Sequence, residues 1–358
     1  MSDPHPETLR AAARTLRVAG GTFRAADAAE LAIVERSGFI ESRHLGSAVV
    51  TDPDGQPVIA VGAPSEPVYA RSCLKPLQAI ACMELGVELR GEEAVLATAS
   101  HRAEAGHVEI VSRMLESGGL TVADLQCPSV PPADRENRIR ARSRGMERSP
   151  LHFNCSGKHT AFLLAAARNG WGTDRYLDPE SEVQQQVAAT VEEFCGAPSV
   201  HVGVDGCGAP VHALPLTRLA RGIGRVAAGA SESARILTEA VLAHPWAIDG
   251  HGRPNSVTIE RLGILAKFGA EGVMVMGTTD GWAVAVKCLD GSNRPTTLAA
   301  LELLAAAGAV PAEQILPVLA AIEPQVTGGV RADGSDKVVG SLRAGAGLLA
   351  ACGRTVTA

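Results

Sequence analysis

No run of 18 apolar residues occurs anywhere in the 358-residue chain, so no membrane-spanning helix is expected. Residues 1–17 lack an apolar stretch and are polar, with Arg and Glu among them, so no secretory signal is expected. Positive charge is not in excess: 33 Lys and Arg against 39 Asp and Glu leave a net charge of −6, which argues against a general nucleic-acid or anionic-membrane binder. The eight cysteines contain no Cys-x-x-Cys pair and are scattered widely. In a long chain without a secretory signal they read as reduced thiols or metal ligands rather than a disulfide framework, and a cytoplasmic location is expected. Internal repeats and low-complexity tracts are absent as well. What remains is ordinary enzyme material. A hydrophobic share of 46% with 20% charged residues allows a sizeable core, and the length suits two lobes or one large domain.

Along the chain, residues 1–27 read as a loose leader, partly helical over 8–16. Strand patterns follow at 31–37, 46–51 and 58–61, with Asp52-Pro-Asp-Gly55 as a hairpin turn. Helical spacing then runs from Leu74 through Leu77, Ile80, Ala81 and Leu85, and again over 92–99 and 105–117. Residues 127–150 form a turn-rich connector that crowds Arg135, Arg138, Arg140, Arg142, Arg144 and Arg148. It reads as a solvated loop, or as a mobile flap over an anionic substrate. Further helices are expected at 158–168, 180–194, 216–221 and 231–243, with a short strand at 200–204. A second hairpin spans 272–276 and 282–288. Helices close the chain at 297–307, 312–322 and 341–351. The expected fold class is α+β. Strands from both chain ends (about 28–70 and 265–358) would form one antiparallel sheet flanked by helices, and a mainly helical lobe (about 71–264) would be inserted between them.

The chemistry is organised around Arg71-Ser72-Cys73-Leu74-Lys75. On a helix Ser72 and Lys75 stand one turn apart, so hydroxyl and amine can meet. A serine needs a neighbour to take its proton, and a lysine serves only when burial and nearby positive charge depress its pKa. A helix start adds partial positive charge. Thr98-Ala-Ser100-His101 offers a second hydroxyl, and Lys267 stands at the start of a strand. The order Ser-x-x-Lys, serine, strand lysine parallels the motif order of penicillin-recognising enzymes, although the second and third motifs read Ser-His-Arg and Lys-Phe-Gly. The plainer readings are a helix-end hydroxyl for Ser100 and an exposed edge charge for Lys267. Asn154-Cys155-Ser-Gly-Lys158-His159 and Asp205-Gly-Cys207 bring two glycine-flanked thiols near Asp, Lys and His. They suit a metal site, an activated thiol, or two buried structural cysteines.

Together Arg71–Lys75, Ala99-Ser-His101, residues 152–159, Val204-Asp-Gly-Cys-Gly-Ala-Pro210 and Lys267-x-Gly-Ala-Glu-Gly272 resemble the rhizobial-type L-asparaginases of the asparaginase II family. Five motifs in one order span nearly the whole chain, about 28–350. The resemblance implies a fold like that of serine β-lactamases and glutaminases. It also implies amide hydrolysis of L-asparagine to L-aspartate and ammonia, and a homodimer. It makes Ser72 the nucleophile, Lys75 its base, and Ser100 with Lys267 a second pair close by. It places a zinc ion on Cys155, Lys158 and Cys207, with His159 as the alternative ligand. Arg71, Asp205 and His101 border the substrate. Phe268 departs from the pattern, which expects a small polar residue there. A glutaminase, a β-lactam or peptide amidase, or a non-catalytic amino-acid- or metal-binding relative would share the scaffold.

Overall fold

The computed structural model describes residues 20–354, so the expected helix over 8–16 lies outside the described residues. The first hairpin appears where the turn residues put it. Strands β1 (Ala29–Arg36), β2 (Phe39–Thr51) and β3 (Pro57–Val61) pair antiparallel in sequence order. The sheet is completed from the other end of the chain by β7 (Leu265–Gly269), β8 (Val273–Gly277), β9 (Ala283–Cys288), β10 (Val326–Val330) and β11 (Asp336–Ala344). The strand order is β10-β11-β1-β2-β9-β8-β7, with β3 also on β2. Every residue of β8 and β9 is buried. Since side chains alternate between faces, both faces of the sheet centre must be covered. Helices α7 (Leu216–Ala227) and α10 (Thr296–Ala306) pack against these strands, and α12 (Ala346–Ala351) packs on β1. The fold class is therefore the α+β arrangement that the sequence implies.

Between the two groups of strands come α1 (Lys75–Glu84), α2 (Gly91–Thr98), α3 (Ala105–Ser117), α4 (Arg135–Ser143), α5 (Ser156–Arg168), α6 (Glu182–Cys195), α8 (Glu232–Ala243) and α9 (Pro254–Leu262). A small antiparallel sheet of β4 (Pro67–Tyr69), β6 (Pro210–Pro215) and β5 (His201–Val204) also lies there. Helix α1 is buried along most of its length and packs on α2, α5 and α6, which makes it the central helix of this region. Three expectations need correction. Residues 341–344 are the end of strand β11, and the helix begins only at Ala346, because Leu342 pairs with Val34 of β1. The Arg-rich connector contains a nine-residue helix, α4, capped by Asp134, whose carboxylate accepts from Asn137 N–H. Strands β4, β6, β10 and β11 and helix α9 had no clear signal.

Candidate active site

The nucleophile candidate sits on a strained corner. Arg71 adopts a left-handed backbone (φ 49°), uncommon for a residue with a side chain, and starts the 3₁₀ turn Arg71–Leu74 that leads into α1. The Arg71 side chain is tied down: its Nε donates to Asp205 Oδ1 at 2.9 Å. Ser72 follows, half-buried, while Cys73, Leu74 and Lys75 are buried. Strand β7 passes close to this turn because Gly269 has no side chain. A Cβ there would lie 3.2 Å from Ala70 O, Arg71 Cβ and Ser72 N. This is a glycine required for close approach.

The Lys75 amine reaches the end of α2. Its Nζ donates to the Ala99 carbonyl and, at 3.1 Å, to Ser100 Oγ. Lys267, fully buried on β7, donates from Nζ to the same Ser100 Oγ at 2.8 Å and to Phe268 O at 2.6 Å. One hydroxyl, Ser100, is thus held between two amines. Each amine donates two hydrogen bonds, so its neutral –NH2 form satisfies both while keeping its lone pair. Burial pushes Lys75 down to about 8. Burial, and then the neighbouring Lys75 charge, push Lys267 down to about 7. Ser100 is anchored by its own N–H, which donates to Ile248 O at 2.9 Å.

The second constellation also closes in space. Ligand atoms of Cys155, His159 and Cys207 lie within 4.8 Å of one another, all buried. Lys158 Nζ donates to Cys207 Sγ at 3.2 Å. A hydrogen bond from Cys155 holds the Cys207 sulfur far below the ordinary thiol value, while burial pushes Cys155 well above it. Burial pulls Lys158 down, but the Cys155 and Cys207 sulfurs outweigh it and hold the amine above its usual value. As a metal ligand it must first lose that proton. His159 needs no such step: burial pushes it down to about 4, so it is neutral at pH 7. Its Nδ1 lies 2.8 Å from the Tyr176 hydroxyl, and its Nε2 is buried without a hydrogen-bond partner. Two sulfurs, a neutral imidazole with an orphaned nitrogen, and an adjacent amine fit a thiophilic divalent cation.

His101 is held within the fold by both of its ring nitrogens. Ala103 N–H donates to its Nδ1 at 3.1 Å, and its Nε2 lies 2.9 Å from Ser156 Oγ. Both ring nitrogens are engaged inside the fold, and burial holds the ring neutral. It joins the Ser100 loop to the start of α5. The residue that the motifs missed is Asp249. It is 2% exposed, and burial raises its pKa, opposed first by the charge of Lys267. Its signal was present, since Asp249-Gly-His-Gly252 repeats the form of Asp205-Gly-Cys-Gly208. A surface cavity of about 490 Å³, lined by Glu104, Asp134, Arg140, Trp246 and His251 among others, contains none of the serines and lysines above.

The model of one protein family, described as L-asparaginase II, matches residues 32–344. No curated protein matches the chain. Among solved structures, a Bacillus glutaminase in 4.3 M NaCl is 14% identical over 75% of this chain and 92% of its own, with a TM-score of 0.44. The structure of Mglu is 14% identical over 72% of this chain, at a TM-score of 0.42, and the match covers 66% of Mglu, less than two thirds of its length. A β-lactamase from Mycobacterium bovis is 15% identical over 70% of this chain and 89% of its own, with a TM-score of 0.35.

Proposed function

The chain belongs to the L-asparaginase II family, and we propose that it hydrolyses the side-chain amide of L-asparagine to L-aspartate and ammonia through an acyl-enzyme on Ser72. The observation that carries this reading is the Ser100 hydroxyl held between two buried, pKa-depressed lysine amines. Such a group moves protons at neutral pH, which amide hydrolysis needs and a passive binding protein does not. Ser72 is the nucleophile because it is half-buried and reachable, whereas Ser100 is 5% exposed. Lys75 keeps a lone pair for the Ser72 proton, since its two N–H bonds go to Ala99 O and Ser100 Oγ. Ser72 Oγ attacks the amide carbon, and the proton passes through Lys75, Ser100 and Lys267 toward the leaving nitrogen. Ammonia departs, and water cleaves the ester by the reverse relay. The Ser72 N–H beside Gly269 is the nearest candidate to stabilise the oxyanion. Arg71 and Asp205, about one-fifth exposed, offer opposite charges to the two ends of an amino acid.

A zinc ion on Cys155 and Cys207, with His159 or a deprotonated Lys158 as the nitrogen ligand, is part of the proposal. When bound it supplies a positive charge that orients the substrate. The test is ammonia release from asparagine, glutamine and a chromogenic β-lactam, side by side, with and without zinc. Asparagine should lead by kcat/KM, and chelation should act mainly through KM. Turnover led by glutamine or the β-lactam would replace the substrate assignment. No release from any of them would return the chain to a binding role. A homodimer is also proposed, and a monomer by light scattering at micromolar concentration would overturn it.

A further inference from the structure

A second group of metal-ligating side chains lies apart from the residues used above. His44 on β2, Cys288 at the end of β9 and Asp290 in the turn after it place one ligand atom each within 4.8 Å of one another. The backbone forces this convergence. Gly46 pairs with Cys288 across β2 and β9, and Leu289 N–H donates to Leu45 O at 2.8 Å, extending the pairing into the turn. Side chains at Gly46 and Gly272 would collide with this corner: a Cβ would fall 3.1 Å from Cys288 Cα in the first case and 2.9 Å from Cys288 Cβ in the second. The Asp290 carboxylate is held by Ser292 N–H at 2.8 Å.

The hydrogen bonds show which chemistry the group suits. Cys288 Sγ–H donates to Asp290 Oδ1 at 3.0 Å, and His44 Nδ1 lies 3.1 Å from Asp290 Oδ2. The carboxylate stands in the middle, so this is not a thiol activated by an imidazole. A Cys-His-Asp triad would put the ring between the other two. Instead, both protons lie between potential ligand atoms. His44 and Cys288 are buried, at 7% and 0% exposure, while the Asp290 side chain is 51% exposed and opens the group to solvent. His44 Nε2 has no hydrogen-bond partner. The neighbouring Lys287 amine is occupied by the Glu271 and Cys288 carbonyl oxygens.

We propose that His44, Cys288 and Asp290 bind a divalent cation of the zinc class, at a site separate from the Cys155–Cys207 sulfurs. Thiolate, imidazole and carboxylate together select a borderline cation, and tetrahedral zinc holds such ligands roughly 3.3–3.6 Å apart. The two spacings to the Asp290 carboxylate, 3.0 and 3.1 Å, need only a small opening. The proton balance is simple. Cys288 loses its proton to solvent, the His44 ring proton moves from Nδ1 to Nε2, and Asp290 is already ionised. One thiolate, one carboxylate and one dication then sum to zero charge, and one proton is released per ion. A solvent-side water completes the fourth position. The ion would clip β2 to the turn after β9.

The test uses full-length protein at pH 8, with zinc for stoichiometry and cobalt as the spectroscopic probe. Wild type should take up two zinc ions per chain and Asp290→Ala one. The Asp290 side chain is half exposed, so that variant leaves no cavity in the core, and a thermal melt checks that it is folded. A Cys155→Ser/Cys207→Ser protein should keep one ion and show a sulfur-to-cobalt charge-transfer band, which a further Cys288→Ala removes. Calorimetry of this double variant in two buffers should give one proton released per ion. Equal zinc content in wild type and Asp290→Ala overturns the proposal. So does a folded double variant that binds no cobalt, or one whose band survives Cys288→Ala. Zinc lost from Cys207→Ser but not from Asp290→Ala would support the sulfur pair alone.

Discussion

Two amines on one hydroxyl make the residue scale decisive, because each side chain here has a cost as well as a use. Removing Ser72 should remove the covalent step, so Ser72→Ala is expected to lower kcat by at least about 10³ with the thermal melt unchanged. Retention of more than about a tenth of wild-type kcat, a barrier change under about 1.4 kcal/mol, would rule out Ser72 as the nucleophile. The lysines carry the pH dependence. The working form is the neutral amine, so turnover should rise as pH passes through about 7 to 8. Stability should move with activity. Lys267 is held near 7 when folded and near its ordinary 10.5 when unfolded, so between those values the unfolded chain binds more protons. Wild-type stability therefore climbs across that window and is lowest below it, by an amount on the order of a few kcal/mol. Lys267→Met should abolish turnover and melt higher than wild type at pH 6, with the difference shrinking by pH 10. A melting difference that stays constant with pH would mean that Lys267 is not held neutral. At this scale the sequence showed the residue types but not their partners. Ser72 and Lys75 were legible from one-turn spacing, yet Lys75 turns to Ser100, because α1 and the end of α2 are adjacent only in space.

The elements hold these groups in place through two glycines that are not turn residues. Gly157, in the first turn of α5, faces α2 so closely that a Cβ would lie 2.2 Å from Leu96 O. Backbone cannot yield as a side chain does, so Gly157→Ala must push α5 off α2. That moves Cys155 and His159 relative to Ser100. A loss of about 2–4 kcal/mol of stability is expected, together with weaker metal uptake. Gly269 on β7 is less tight, with contacts of 3.2 Å to Ala70 O and Ser72 N. Gly269→Ala should therefore cost less stability than Gly157→Ala and proportionally more kcat, since it presses on the nucleophile turn. Comparing the two variants by thermal melt and by kcat checks this, and the reverse ranking would show that β7 does not set the Ser72 position. The elements legible in the sequence were those with one strong local signal: the Asp-Gly hairpin at 52–55, the Pro76-tolerant start of α1, and the Thr278-Thr-Asp-Gly281 turn between the apolar runs of β8 and β9. The missed ones lacked it. Strand β10 reads Val-Thr-Gly-Gly-Val with four of five residues exposed, so no buried face marks it. Helix α4 has four arginines among its nine residues and rests on its Asp134 cap rather than on an apolar stripe.

Across the whole molecule, the sheet is closed by chain ends more than 200 residues apart, since β2 pairs with β9 over Gly46–Thr51 and Ala283–Cys288. Matching hairpins at the two ends suggested this, whereas the outer strands depend on β11 pairing with β1 and β10 with β11, and were invisible without it. That division should also appear in dynamics. Strands β8 and β9 are buried on both faces and carry β7, and with it Lys267 and Gly269. Strand β10 lies at the opposite edge, and its pairing with β11 is interrupted by two register shifts. Amides in exposed, irregular edge strands open locally, while those in a doubly covered sheet centre exchange only through large-scale unfolding. Hydrogen exchange at neutral pH should therefore show Val284 and Val286 protected at least about a hundredfold more than Thr327 and Gly328. Occupying the active site with L-aspartate should slow exchange near β7 and leave β10 unchanged. Equal protection of β9 and β10, or slowing of both by the ligand, would mean that the outer hairpin unfolds as one unit with the site-bearing strands.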